Sequence, residues 1–545
     1  MHHRTDRGAR LSQAARGLLA GAFLDRDVLG RAARDERGVS AVTVAISFAV
    51  LAPMALGIFD VFTITEQHGK LQDALDAATL YAARSPAYTT ADVDAIGDKA
   101  LSANLQMIHG AALMSSDFSL SGSKVLASAS VQLPAFAPMV FGDQPVTVHS
   151  EVQRAVDRLE VALVLDNTGS MGQNGKLAAL QTDAKQLIDK LVTASRASTD
   201  PTPLKISLVP FSQTVRAVNT RALSGANYNT ATHTGPSIPG WVDPQGTAHA
   251  NAGVAYDTFD AKTDRLTMMR NIGASWDGCV ESRMPPYDIS DSPPDPLTPA
   301  SMFVPYFAPD EPGGDSSTTY YNSYLNDVTG SPNWLDKEQY HPKYTGSPRA
   351  GANGAGYAYG PNAGCSLAPL MRLTTDFTSV KTAIDAMTAV GETNIPMGLV
   401  WGWHTLSPNA PLADGSPYGT QHLKKVIILM TDGENTFSNG NSNNRSLYDG
   451  LGYIWQNMLV GATSASNDAQ RTGAMDARLA QLCTAIKGKD IHIYTVRIEF
   501  TKGSPTLLQN CASAPADFYD VSKVADLGAA FDAIAGSISN LRISH

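Results

Sequence analysis

Charge is scarce in this chain: Asp, Glu, Lys and Arg together make up 17% of 545 residues. What charge there is carries no basic excess, since 41 Lys and Arg face 51 Asp and Glu for a net of −10. An acidic chain with no basic domain is a poor candidate for phosphate-backbone binding, so nucleic acid is not an expected partner. Cysteine is rare too. The four, Cys279, Cys365, Cys483 and Cys511, form no C-x-x-C pair, and no H-E-x-x-H occurs, which excludes a zinc ribbon, a thioredoxin motif and a zincin. Internal repeats are absent, and Gly (45) and Pro (31) stay near ordinary usage, which excludes collagen-like and wholly disordered chains. The length is that of two to four domains.

One long apolar run is present. Residues 39–59 read VSAVTVAISFAVLAPMALGIF without a charge, enough at about 1.5 Å per residue to cross a hydrocarbon core of about 30 Å. Eight arginines precede it, Arg31, Arg34 and Arg37 closest, so the positive-inside rule predicts a cytoplasmic segment 1–38 and an exported chain after Asp60. Leu71, Leu75, Ala78 and Ala82 continue a helical spacing, which extends the expected helix to about Arg84. In an oxidising compartment the four cysteines would form two disulfides. Three pairings are open, and the simplest joins Cys279 to Cys365 and Cys483 to Cys511.

Residues 60–156 read as this extended helix and a small α+β region, with a helix over 91–105, alternation from Val125 to Leu133 and a further strand around Val146–Val152. From 157 to 545 apolar strands alternate with amphipathic helices, the pattern of a doubly wound, mostly parallel α/β sheet. Five strands are expected, at Val161–Leu165, Ile206–Phe211, Val426–Met430, Ile491–Ile498 and Phe518–Val521, with a helical stripe from Leu177 to Leu191 after the first. A large insertion interrupts the sheet at about 215–370. Its stretch from Gly225 to Cys365 holds 16 of the 31 prolines, 11 of the 18 tyrosines and a net charge of −8, a composition of ordered, aromatic-packed loops. Residues 434–473, rich in Asn, Ser and Gly, read as a second excursion.

The chemistry gathers where strands end. Asp166, Thr168 and Ser170 form D-x-T-x-S at a strand-to-helix turn, the carboxyl edge where open α/β sheets bind ligands. A carboxylate and two hydroxyls at i, i+2 and i+4 suit a hard cation that takes oxygen ligands. Gly391-Glu392-Thr393-Asn394, ahead of a helix beginning near Pro396, and Met430-Thr431-Asp432-Gly433-Glu434 bring further oxygens to that edge. The overlapping Ser170–Leu177 stretch misses a phosphate loop at both ends, with Ser170 for the first glycine and Leu177 for the hydroxyl. His404, His422 and His492 fit no Ser/His/Asp pattern and are expected as surface or helix-end residues.

D-x-T-G-S, a loop threonine and T-D-G in this order resemble the von Willebrand factor type A domain. The resemblance implies a metal-ion-dependent adhesion site of Asp166, Thr168, Ser170, Thr393 and Asp432. It would bind a divalent cation, Mg²⁺ foremost with Mn²⁺ or Ca²⁺ as alternatives, and leave one position open to an acidic residue of a partner. Trp276-Asp277-Gly278-Cys279-Val280-Glu281-Ser282-Arg283, the run from Gly398 to Trp403, and Leu541-Arg542-Ile543-Ser544 extend the likeness to the TadG-like proteins of tight-adherence (Flp) pilus systems.

That second resemblance implies a non-enzymatic, single-pass protein of the bacterial inner membrane. Its C-terminal domain would be periplasmic or pilus-associated, with pilus assembly or pilin components as partners. A pilus-tip surface adhesin is the alternative, and a metal-dependent hydrolase is disfavoured for want of a general base. Gly38 resembles the cleavage point of class III prepilin leaders, but Thr43 stands where those carry Glu, so an uncleaved anchor is expected.

Overall fold

The computed structural model describes residues 39–543 apart from 86, 88, 106–111, 122–123, 134–143, 154–157, 197, 199, 220–237, 248–258, 260–263, 314–321, 328–332, 349–358, 441 and 500–504. The arginine-rich segment 1–38 and Ser544 lie outside the described residues. The chain divides into two compact units, Met1–Gln153 and Arg154–His545.

In the first unit one helix, α1 (Val39–Ala83), carries the whole apolar run and passes through Pro53 without ending. It is long and apolar enough to cross a membrane. Val42, Phe48, Leu51, Met54 and Phe62 are exposed along it, whereas Leu71, Leu75, Ala78 and Ala82 are fully buried. That buried stripe packs with α2 (Thr90–Leu105) on an antiparallel sheet of β1 (Ala112–Ser121), β2 (Lys124–Leu133) and β3 (Gln144–Gln153). The middle strand buries Val125, Ala127, Ala129 and Val131, alternate residues on one face. The strand β1 is not evident from the sequence, because among its residues only Phe118 is buried.

The second unit is built on a six-stranded sheet. Its strands are β4 (Arg158–Asp166), β5 (Leu204–Phe211), β8 (Met371–Thr374), β9 (Leu423–Thr431), β10 (Ile491–Ile498) and β11 (Phe518–Val521). The order is β11-β10-β9-β4-β5-β8, parallel throughout except β8, which pairs antiparallel with β5. All five expected strands form. The sixth, β8, resumes the sheet where the insertion ends.

Along β4, Leu159, Val161, Leu163 and Leu165 face one core and Ala162 and Val164 the other, so the strand reads as an unbroken apolar run because both its faces are covered. The helix α3 (Lys176–Ser195) covers the first face with Leu180, Ala184, Leu187 and Leu191. The second face is covered by α4 (Ile395–Leu406) and α5 (Asp468–Lys487). Gly398 and Gly402 let α4 approach closely: a Cβ at either would stand 2.4 Å from Phe211 or Val164 respectively.

The insertion adds a two-stranded pair, β6 (Val215–Arg216) with β7 (Cys279–Val280). Its aromatic core includes the buried Trp276, Tyr306, Phe307, Tyr324 and Tyr344. Both disulfides take the simplest pairing, Cys279–Cys365 and Cys483–Cys511. The second excursion is shorter than expected, because Asn467 and Gln470 form a reciprocal capping box that starts α5 at Asp468. His404 also departs from expectation. It lies in the last turn of α4 but is fully buried against Phe303 and Trp401, and burial with Arg283 nearby holds its imidazole neutral, well below its ordinary range.

Candidate metal centre

Chain order reverses about β4. The strand that follows β4, β5, lies on one side of it, and β9, which comes after the insertion, lies on the other. The carboxyl end between β4 and β9 is therefore the topological switch point, the natural crevice of an open α/β sheet. Leu165 pairs in register with Met430, so Asp166 and Thr431-Asp432 leave the sheet side by side.

Asp166 is fully buried. Its Oδ1 accepts the Thr168 N–H at 2.8 Å and its Oδ2 the Thr431 hydroxyl at 2.6 Å. Burial first, and then the charge of Asp432, push its carboxyl up to about 6 against the opposing pull of these hydrogen bonds. Ser170 donates to Asp432 Oδ1 at 2.7 Å, and Thr168 Oγ1 lies 3.0 Å from Ser170 Oγ. The other Asp432 oxygen is ion-paired with Lys176 in the first turn of α3.

The third loop is stitched to the first and second by main chain. Gly169 N–H donates to Gly391 O at 3.0 Å, Val390 N–H to Asn167 O at 2.9 Å and Thr436 N–H to Thr393 O at 2.8 Å. Thr393 Oγ1 and Ser170 Oγ converge over Gly433, where a Cβ would lie 3.5 and 3.9 Å from them. Asn394 caps α4 by accepting the Met397 N–H and donates to the buried Asp449. These loops floor a cleft of about 560 Å³ lined by Ser170, Lys176, Thr393, Asp432 and Gly433, with Glu434 and Arg497 beside them.

All five residues read from the sequence thus lie at one sheet edge. The sequence shows Thr431 only as part of the T-D-G motif and not as the hydroxyl donor to Asp166, and Lys176 escaped as a participant. The latter was visible only as the lysine of a failed phosphate loop. Among the described residues no three His, Cys, Asp or Glu side chains gather as metal ligands, so a cation here depends on hydroxyl oxygens beside the two carboxylates.

Residues 38–85 match the family described as putative Flp pilus-assembly TadE/G-like. The match covers the segment of α1. No curated protein matches the chain. Among solved structures, the pilus adhesin SpaC from Lactobacillus rhamnosus GG is similar at 12% identity and a TM-score of 0.32, over 79% of this chain and 35% of that one. The von Willebrand factor domain of the type V pili tip protein Mfa5 from Porphyromonas gingivalis is similar at 12% identity and a TM-score of 0.31, over 72% and 97% of the two chains. Proximal thread matrix protein 1 from the mussel byssus, in a structure with a zinc-occupied MIDAS motif, gives 11% identity and a TM-score of 0.27, over 71% and 47%. The chain spans about a third of SpaC and about half of the byssus protein.

Proposed function

We propose that this is a membrane-anchored, non-enzymatic pilus-assembly or minor-pilin-like protein. On this reading its second unit is a von Willebrand factor type A domain that captures an acidic partner through a divalent cation. Asp166, Thr168, Ser170, Thr393 and Asp432 would hold the cation, Mg²⁺ foremost. When bound, it supplies a centre of positive charge for a partner carboxylate.

The observation that carries this reading is the meeting of three separate loops at the switch point, with carboxylates from β4 and β9 and hydroxyls from all three. The donor set fits a hard cation. Burial and then the charge of Asp432 raise the proton affinity of Asp166, and Lys176 is the cation already paired with Asp432. The chain's own residues do the positioning: Thr431 and the Thr168 N–H fix both Asp166 oxygens, and Ser170 fixes Asp432. The match at residues 38–85 supports the pilus context, and the exposed apolar half of α1 supports the anchor.

The test is capture of pilus components by the detergent-solubilised full chain, with Mg²⁺, with chelator, and with Asp166→Ala. Capture lost in the latter two while the variant stays folded is the expected result. Capture that survives both would refute the metal-mediated mechanism.

A further inference from the structure

A second group of buried acids lies in the insertion, among residues the first site does not use. Glu338, on the short helix Trp334–Gln339, is fully buried, and among the described residues neither of its carboxylate oxygens is held by a well-formed hydrogen bond. Glu311 lies near enough for its charge to act on Glu338. Its Oε1 accepts the Tyr453 hydroxyl at 3.1 Å, while its Oε2 has no donor. The amide of the buried Asn444 lies beside both carboxylates, and the Ser442 hydroxyl lies beside Glu311. Asn444 is oriented by Trp455, whose indole N–H donates to its Oδ1 at 2.7 Å.

Among the described residues, Lys343 serves this cluster. Lys343 stands 3.0 Å from Asp310 Oδ2 and donates to the Asp310 carbonyl at 2.9 Å. The N–H groups of Tyr324 and Leu325 donate to Asp310 Oδ1 at 2.6 and 2.5 Å. These two N–H groups satisfy Asp310 Oδ1, while its Oδ2 has the Lys343 ammonium beside it without a hydrogen bond. With all three acids ionised, Asp310, Glu311 and Glu338 against Lys343 leave two negative charges among these buried side chains. Burying them uncompensated is strongly unfavourable. A dication removes the whole excess.

We propose that the space between Glu311 and Glu338 is a calcium-class site that joins the insertion to the excursion carrying Ser442, Asn444 and Tyr453. Two neighbouring buried carboxylates with unpartnered oxygens suit Ca²⁺, which accepts six to eight oxygens in irregular geometry and takes its remainder from neutral groups such as the Ser442 hydroxyl. The site stands apart from Asp166 and does not depend on the function proposed there. Its rival is a pair of buried protons on the same two acids.

Trp455 supplies the readout, flanking the space by its bond to Asn444 and standing with its ring 6.2 Å from that of Trp334. Chelator-treated full chain in detergent is titrated with Tb³⁺ and excited through tryptophan. Sensitised emission that Ca²⁺ displaces is expected from the wild type and from Asp166→Ala, and its loss is expected in Glu338→Gln. Ca²⁺ should raise the melting temperature of the wild type but not of Glu338→Gln. Should that variant not fold, Glu311→Gln carries the same two expectations. Absence of both signals from the wild type, or emission unchanged by the glutamine variants, overturns the proposal in favour of protons. Loss of emission in Asp166→Ala with retention in Glu338→Gln overturns it by assigning the ion to the first site.

Discussion

The ammonium group of Lys176 is paired with Asp432 at a buried position, one helical turn from the loop that carries Ser170. It is an internal cation on a residue of the candidate metal centre, and on the proposed function it competes with the metal ion for Asp432.

Lys176→Met should therefore tighten Mg²⁺ binding, by about tenfold for each 1.4 kcal/mol of competition removed. The same change should lower the stability of the metal-free protein by about 3 to 5 kcal/mol, because it strands the Asp432 charge. Calorimetric titration and chelator melts measure the two effects. Unchanged affinity would show that Lys176 and the metal do not compete.

Asp166 gives a pH signature. Its carboxyl is raised to about 6 from 3.8 in the metal-free fold, so the folded state binds the extra proton between those values. Stability then falls as pH rises through that window, by at most about 3 kcal/mol, and metal affinity weakens below about pH 6. Denaturant unfolding in chelator at pH 4 and pH 7 should show a smaller loss in Asp166→Asn than in the wild type. Equal losses would remove Asp166 as the source.

The helix α4 tolerates no extra atom where it crosses β4. A Cβ at Gly402 would meet Val164 Cγ2 at 2.4 Å, so Gly402→Ala should cost about 1 to 3 kcal/mol through overpacking. Mg²⁺ binding by the folded fraction should persist. Unaltered chemical denaturation would show that the helix shifts freely.

The Cys279–Cys365 bridge spans 86 residues and ties β7 to the loop before β8. Replacing both by serine should cost about 2 to 5 kcal/mol, read as a lowered denaturation midpoint. The Cys483–Cys511 bridge closes a shorter separation of 28 residues, and its loss should cost less on chain-entropy grounds.

The central strands were legible because β4, β5 and β9 are covered on both faces and must be continuously apolar. Edge elements were not. Of the four residues of β8 three are half-buried and Arg372 is exposed, and they pair irregularly with β5, so no period marks them. The start of α5 was written in Asn467 and Gln470, but Asn- and Ser-rich composition outweighed that local signal. At the candidate centre, D-x-T-x-S and T-D-G could be read because one loop supplies each motif. The roles of Lys176 and Thr431 depend on the lateral pairing of β4 with β9, which spacing along the chain does not encode. The meeting of Glu311, Glu338 and Asn444 is still less legible, since packed loops bring them together without a motif. His404 is buried by Phe303, which the insertion delivers from far upstream.

The unbroken helix α1 also has a mechanical consequence. Its 45 residues form a rod of about 68 Å at about 1.5 Å per residue, and no flexible joint separates its exposed apolar stretch from the stripe at Leu71–Ala82 that seats β1–β3. With that stretch in a bilayer, the small sheet cannot trail on a slack tether. Its stand-off from the membrane is set, its heading turns only with the rod, and a pull on the sheet is delivered along the helix axis to the embedded end.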